Sequence, residues 1–152
     1  MRLVIAEDST LLREGLVRLL ADEGHEVLAA VGTAPELLEA DTLHEPDVVI
    51  TDVRMPPTHT DDGLQAALEI RRRRPAVGVL VLSQYVEKRY ATMLLAERSD
   101  GVGYVLKDRV AQVDDFLAAL GRVAEGSTAL DPEVVRQLMT STQRTDRLGT
   151  LT

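Results

Sequence analysis

The chain has 152 residues, 45% of them apolar and 28% charged, so a single globular domain fits and a collagen-like, coiled-coil or wholly disordered chain is excluded. Lys and Arg number 17 against 25 Asp and Glu, and a formal net charge of -8 argues against a domain that grips nucleic acid by general phosphate neutralisation. No cysteine is present for a disulfide framework or a thiolate metal site, and the longest apolar stretch, Ala76 to Leu82, cannot span a bilayer, so a soluble cytoplasmic protein is expected.

In chain order, Leu3 to Ala6 reads as a first strand, followed by a helix over Thr10 to Glu23 with Leu12, Leu16, Leu19 and Leu20 at helical spacing and Gly24 as its stop. His25 to Val31 reads as a second strand. Thr33-Ala34-Pro35-Glu36 has the form of a capping box with proline in the first turn, opening a helix toward His44. Asp47 to Thr51 is apolar without alternation, which predicts a strand covered on both faces by helices. A Pro-, Thr- and Asp-rich loop from Arg54 to Asp62 leads to a helix over Gly63 to Arg74. The arginines Arg71 to Arg74 read as a solvated helix C-terminus favoured by the macrodipole, ahead of a nucleic-acid contact. Val77 to Leu82 is a fourth strand, Glu87 to Arg98 a helix and Gly103 to Leu106 a fifth strand. Val113, Phe116, Leu117, Leu120 and Val123 then share one face of the last helix of the core, which Gly126 ends. Asp131 and Pro132 stand as N-cap and first helical residue of an extra helix running through Met139. The polar, Thr-rich stretch Thr140 to Thr152 is expected to be a flexible linker. The expected segments are thus a core domain over 1–126, an additional helix within 127–139 and a linker over 140–152.

Strands alternating with helices imply a parallel sheet with helices on both faces, and the uninterrupted succession of five fits the flavodoxin-like doubly wound order 2-1-3-4-5. Ligands of such sheets sit beyond the carboxyl ends of the strands, where the order reverses. The residues there are Glu7 and Asp8 after strand one, Asp52 after strand three, Ser83 after strand four and Lys107 after strand five. Any one of them alone reads as a cap or turn residue; together they read as a site. Three carboxylates crowded into one crevice repel one another unless a cation joins them, and oxygen-only ligands without His or Cys favour Mg²⁺. With Lys107 and Ser83 clamping the other oxygens of a phosphoryl group, Asp52 is placed as the nucleophile that accepts it.

The stretches Val4-Ile5-Ala6-Glu7-Asp8, Asp47 to Pro56, Val79 to Ser83 and Gly103 to Asp108 jointly resemble the receiver domain of two-component response regulators, a likeness that runs from Arg2 to about Ala124. The resemblance implies a phosphorylation-dependent switch in which Asp52 takes a phosphoryl group from the phosphohistidine of a sensor histidine kinase. It implies Mg²⁺ held by Asp8, Asp52 and the backbone carbonyl of Arg54, with Glu7 assisting through water. Ser83 and Tyr104 look like the switch pair, and Lys107 like the family's phosphate-contacting lysine; such a domain assists its own phosphorylation and dephosphorylation without being a turnover enzyme. Lys107-Asp108-Arg109, the stretch Gly126 to Pro132 and the following helix look like the NarL/LuxR-type members, which carry a C-terminal helix-turn-helix. Leu148 to Thr152 looks like the start of that domain, so DNA is expected as a partner only through a part not included here, and a homodimer is a further expected assembly.

Three features depart from the family's commonest pattern. Glu7 stands where many members have Asp, the loop Pro56 to Asp62 is longer than the usual Met-Pro-x-x-x-Gly form, and Gln84 replaces a small residue. His59 in that loop reads as an exposed loop histidine, and Tyr104 also reads as a half-buried strand aromatic. Arg54 and Tyr85 are expected to flank the path of a hydrolytic water. Two other readings compete: a receiver used only for dimerisation or docking, and a phosphatase or cofactor-binding flavodoxin relative. The last is disfavoured by Arg54, where a second carboxylate belongs, and by the lack of a glycine-rich turn after strand one.

Overall fold

The computed structural model describes residues 1–97 and 99–140. Its elements are β1 (Arg2–Ala6), α1 (Thr10–Asp22), β2 (Glu26–Val31), α2 (Ala34–His44), β3 (Val48–Asp52), α3 (Asp62–Arg73), β4 (Gly78–Ser83), α4 (Lys88–Glu97) and β5 (Val102–Leu106). A 3₁₀ turn (Lys107–Ala111), α5 (Val113–Ala124), β6 (Ala129–Leu130) and a helix α6 over 132–140 follow. All pairings are parallel, in the order β2-β1-β3-β4-β5-β6, so the doubly wound arrangement expected from the sequence is present.

Period-two alternation sorts the side chains of the central strands onto two cores. Val4, Val49, Val79, Val81 and Tyr104 face α2, α3 and α4, where Leu37, Leu64, Ile70, Tyr90 and Leu94 meet them. Leu3, Ile5, Ile50, Leu80 and Val105 face the opposite way onto Leu16 and Leu20 of α1 and Phe116, Leu120 and Val123 of α5. Both faces of β3 and β4 are therefore covered, which is why their sequences do not alternate. The Thr33 capping box forms as expected: its Oγ1 accepts from the Glu36 N–H at 3.3 Å and donates to the Glu36 carboxylate at 2.8 Å.

The structure corrects the sequence reading at several points. The sheet has a sixth strand: Ala129 and Leu130 pair with Gly103 and Tyr104, in a stretch too short to carry a periodic signal. The extra helix starts at 132 and still includes Thr140; the rest of the expected linker, and Arg98 at the end of the expected fourth helix, lie outside the described residues. The arginines closing α3 are a solvated terminus only in part: Arg72 and Arg73 are exposed, as expected, but Arg71 and Arg74 are not. Arg71 is buried and donates to the carbonyls of Asp100 and Gly101, while Arg74 pairs with the buried Asp41 at 2.5 Å. Arg72 reaches Glu97 and Arg73 reaches Glu69. Tyr104 is fully buried rather than half-buried.

Candidate functional site

The carboxyl ends of β1, β3, β4 and β5 open into one cleft of about 230 Å³, lined by Asp8, Asp52, Arg54, His59, Ser83, Gln84, Tyr85 and Lys107. Parallel pairing in register is what aligns these ends: Ala6 lies beside Thr51, Asp52 beside Leu82, and Ser83 beside Leu106. Glu7 sits beneath the cleft. Its N–H continues the strand ladder to Val31, and its carbonyl accepts from the Arg13 guanidinium at 2.6 Å. Gly63 allows α3 to begin close behind Asp52, since a Cβ there would lie 1.8 Å from the Asp52 carbonyl oxygen.

Lys107 reaches across the sheet to donate to Asp52 Oδ2 at 2.7 Å and to Glu7 Oε1 at 3.1 Å. Glu7, Asp8 and Asp52 each bring a carboxylate oxygen within 4.8 Å of the others. Burial, and then the charge of Asp52, push the Glu7 carboxyl from 4.5 up to about 7, against the opposing pull of Lys107. Burial likewise raises Asp52, with Lys107 offsetting part of the effect. For Lys107 burial acts downward, but Asp52 and Glu7 together outweigh it and raise its pKa. Glu7 Oε2 is buried and has no hydrogen-bond partner. An orphaned carboxylate oxygen beside two further carboxylates is a donor set that fits a hard divalent cation.

Ser83 Oγ donates to the Tyr85 carbonyl at 2.6 Å. The Tyr104 ring points inward, its hydroxyl donating to the same carbonyl at 3.4 Å and accepting from the Glu87 N–H at 3.4 Å. Burial raises the Tyr104 pKa. Every residue singled out from the sequence thus lies in or next to the cleft. Glu7 is beneath it, and Tyr104 stands behind the segment that joins β4 to α4. His59 is exposed, as expected, but also lines the cleft, with Nε2 3.8 Å from Asp8 Oδ2. Sequence reasoning missed Arg13, which holds the Glu7 carbonyl, and Glu87, whose carboxylate binds Arg54 across the rim. No motif marks either residue.

The doubly wound parallel sheet, whose first five strands run in the order 2-1-3-4-5, places the chain in the flavodoxin-like class of α/β proteins, and the crevice at its switch point is acidic and carries a lysine. The family model described as the response regulator receiver domain matches residues 3–120, and the chain belongs to that family, as a receiver domain of a two-component response regulator. It is 34% identical over 94% of its length to the transcriptional regulatory protein DegU of Brevibacillus brevis, and 36% identical over 88% to PdtaR of Mycobacterium tuberculosis. The chain spans 58% and 62% of the length of those two proteins. Among solved structures, a LuxR-family two-component response regulator from Aurantimonas superposes with a TM-score of 0.75 at 25% identity, over 93% of this chain and 96% of that one. The signal receiver domain of NarL from Mycobacterium tuberculosis gives 0.65 at 31% identity, over 79% and 95%. No helix among the described residues is long and apolar enough to cross a membrane.

Proposed function

We propose that this receiver domain is switched by phosphorylation of Asp52. The observation that carries the reading is the Asp52 carboxylate held at 2.7 Å by Lys107 at the mouth of an acidic cleft. A carboxylate oxygen of Asp52 attacks phosphorus, the P–N bond of a kinase phosphohistidine breaks, and the imidazole leaves with the electron pair. Asp8, Asp52 and the Arg54 carbonyl would hold Mg²⁺, with Glu7 assisting. The ion would offset the charge of the incoming phosphoryl oxygens. Lys107 positions and neutralises, and Ser83 supplies a hydroxyl once it leaves the Tyr85 carbonyl. That departure frees the acceptor to which Tyr104 also donates and so couples the site to β5 and α4.

The wider role belongs to the same proposal. A sensor histidine kinase is the phosphodonor, and the output is a helix-turn-helix module reached through α6, as befits a relative of proteins named transcriptional regulators. Incubation with Mg²⁺ and acetyl phosphate, followed by intact-mass measurement, should add one phosphate to the wild type and none to Asp52→Ala. Absence of any phosphate gain with small donors or kinases refutes the reading.

A further inference from the structure

Arg54 lines the same cleft as Asp52 and Lys107, yet its guanidinium is turned across the rim onto the Glu87 carboxylate. Glu87 stands at the head of α4: its carbonyl accepts from the Tyr90 N–H at 3.0 Å and the Ala91 N–H at 3.2 Å. Its own N–H donates to the Tyr104 hydroxyl at 3.4 Å. One residue thus joins the cleft rim, the first turn of α4 and the buried tyrosine.

The charges of the cleft give Arg54 a second destination. Lys107 is already shared by Glu7 and Asp52, and His59 sits against Asp8. Arg54 is, among the described residues lining the cleft, the cation whose ion-pair partner lies outside the three-carboxylate cluster. Phosphorylating Asp52 replaces a singly charged carboxylate by an acyl phosphate that carries about two negative charges. A planar guanidinium can engage two phosphoryl oxygens at once, and it springs from a backbone only two residues from Asp52.

We propose that Arg54 is a phosphoryl-contacting residue that exchanges the Glu87 carboxylate for the phosphoryl oxygens when Asp52 is modified, releasing the head of α4. This rests on the reading of Asp52 as phosphoacceptor. It differs in sign from a plain strap between the β3–α3 loop and α4. In a strap, breaking the pair from either side has the same effect. In an exchange, Glu87 competes with the phosphoryl group for Arg54, so the two substitutions act in opposite directions.

The test uses the full chain with Mg²⁺ and beryllium fluoride as the phosphoryl stand-in, followed by amide NMR titration and by hydrogen exchange. Glu87→Gln should bind the probe about threefold more tightly and Arg54→Gln about tenfold more weakly, with the double variant matching Arg54→Gln. In the wild type, protection of the Tyr90 and Ala91 amides should fall when the probe is added; in both single variants it should be low beforehand. Equal-sign effects, no effect of either substitution, or unchanged protection in a wild type that binds the probe overturn the exchange alone. A wild type that takes neither beryllium fluoride nor phosphate overturns the parent reading and the exchange with it.

Discussion

Glu7 should make divalent-cation binding pH-dependent by an amount that follows from its burial. Its carboxyl is buried, Oε2 has no partner, and its pKa is lifted from 4.5 to about 7. A carboxyl has to be ionised to serve a cation, so binding below that value expels a proton. With one competing proton, the apparent Mg²⁺ affinity at pH 6 is about one tenth of that at pH 8, and about nine tenths of a proton leaves per ion bound at pH 6. Calorimetric titration in two buffers of different ionisation enthalpy counts those protons directly. In Glu7→Gln the Glu7 share of the release should vanish and the pH dependence of the affinity should flatten accordingly, leaving any part due to Asp52 to be read off. A wild type that releases no proton at pH 6, or a Glu7→Gln variant that releases as many as the wild type, refutes the reasoning.

The same shift governs stability without metal. Glu7 keeps its proton to higher pH in the folded state than in the unfolded one, so its contribution is fully present below about pH 4.5 and is lost as pH rises through about 7. Between pH 5 and pH 8 this amounts to about 2–3 kcal/mol, measurable by urea unfolding. Asp52, also raised by burial, acts in the same direction. Lys107 has its pKa raised as well, so its contribution persists across this window and fades only in strongly alkaline solution.

Three further outcomes are expected. Gly63→Ala puts a Cβ 1.8 Å from the Asp52 carbonyl oxygen, so α3 or Asp52 has to shift; unfolding should show a loss of about 2–3 kcal/mol and phosphate incorporation should drop. Asp131→Ala strands the Arg109 guanidinium and the N–H groups of Leu106 and Glu133, costing about 1–3 kcal/mol. Hydrogen exchange should then speed up at Leu130 and along 132–140 while the β1–β3 amides stay protected. Phe116→Ala empties a fully buried position between α5 and the sheet and should cost about 3–5 kcal/mol by denaturant unfolding.

What was legible in the sequence follows from how far each signal reaches along the chain. β3 and β4 announce themselves because two-sided burial removes alternation, and Glu7, Asp8, Asp52, Ser83 and Lys107 are found because each ends a strand or lies within two residues of its end. β6 escapes because two residues have no period; its pairing is fixed by Gly103 and Tyr104, far upstream in the chain. The run Arg71 to Arg74 misled because composition reveals charge but not acceptors: Arg71 finds the carbonyls of Asp100 and Gly101, and Arg74 finds Asp41 and the Pro46 carbonyl. Glu87 was invisible for the same reason, since its partner is 33 residues away and nothing local requires a carboxylate there.

The segment between β4 and α4 gathers the polar connections of the site onto two adjacent peptides. Ser83 and Tyr104 both donate to the Tyr85 carbonyl, at 2.6 and 3.4 Å, and Glu87 ties the Tyr104 hydroxyl to Arg54. A carbonyl with two lone pairs can serve both hydroxyls, so the arrangement is satisfied while nothing else competes for them. An anion over Asp52 would compete for two of the participants: the Ser83 hydroxyl, which would exchange a neutral carbonyl for a charged acceptor, and the Arg54 guanidinium, which would exchange a singly charged carboxylate for a phosphoryl group of about two negative charges. Neither departure disturbs the sheet, because both partners left behind belong to an exposed connection and a helix start. In the proposed switch the cost would therefore fall on a few hydrogen bonds at the rim, while the two cores that hold β1, β3 and β4 in register would keep the carboxylates where they are.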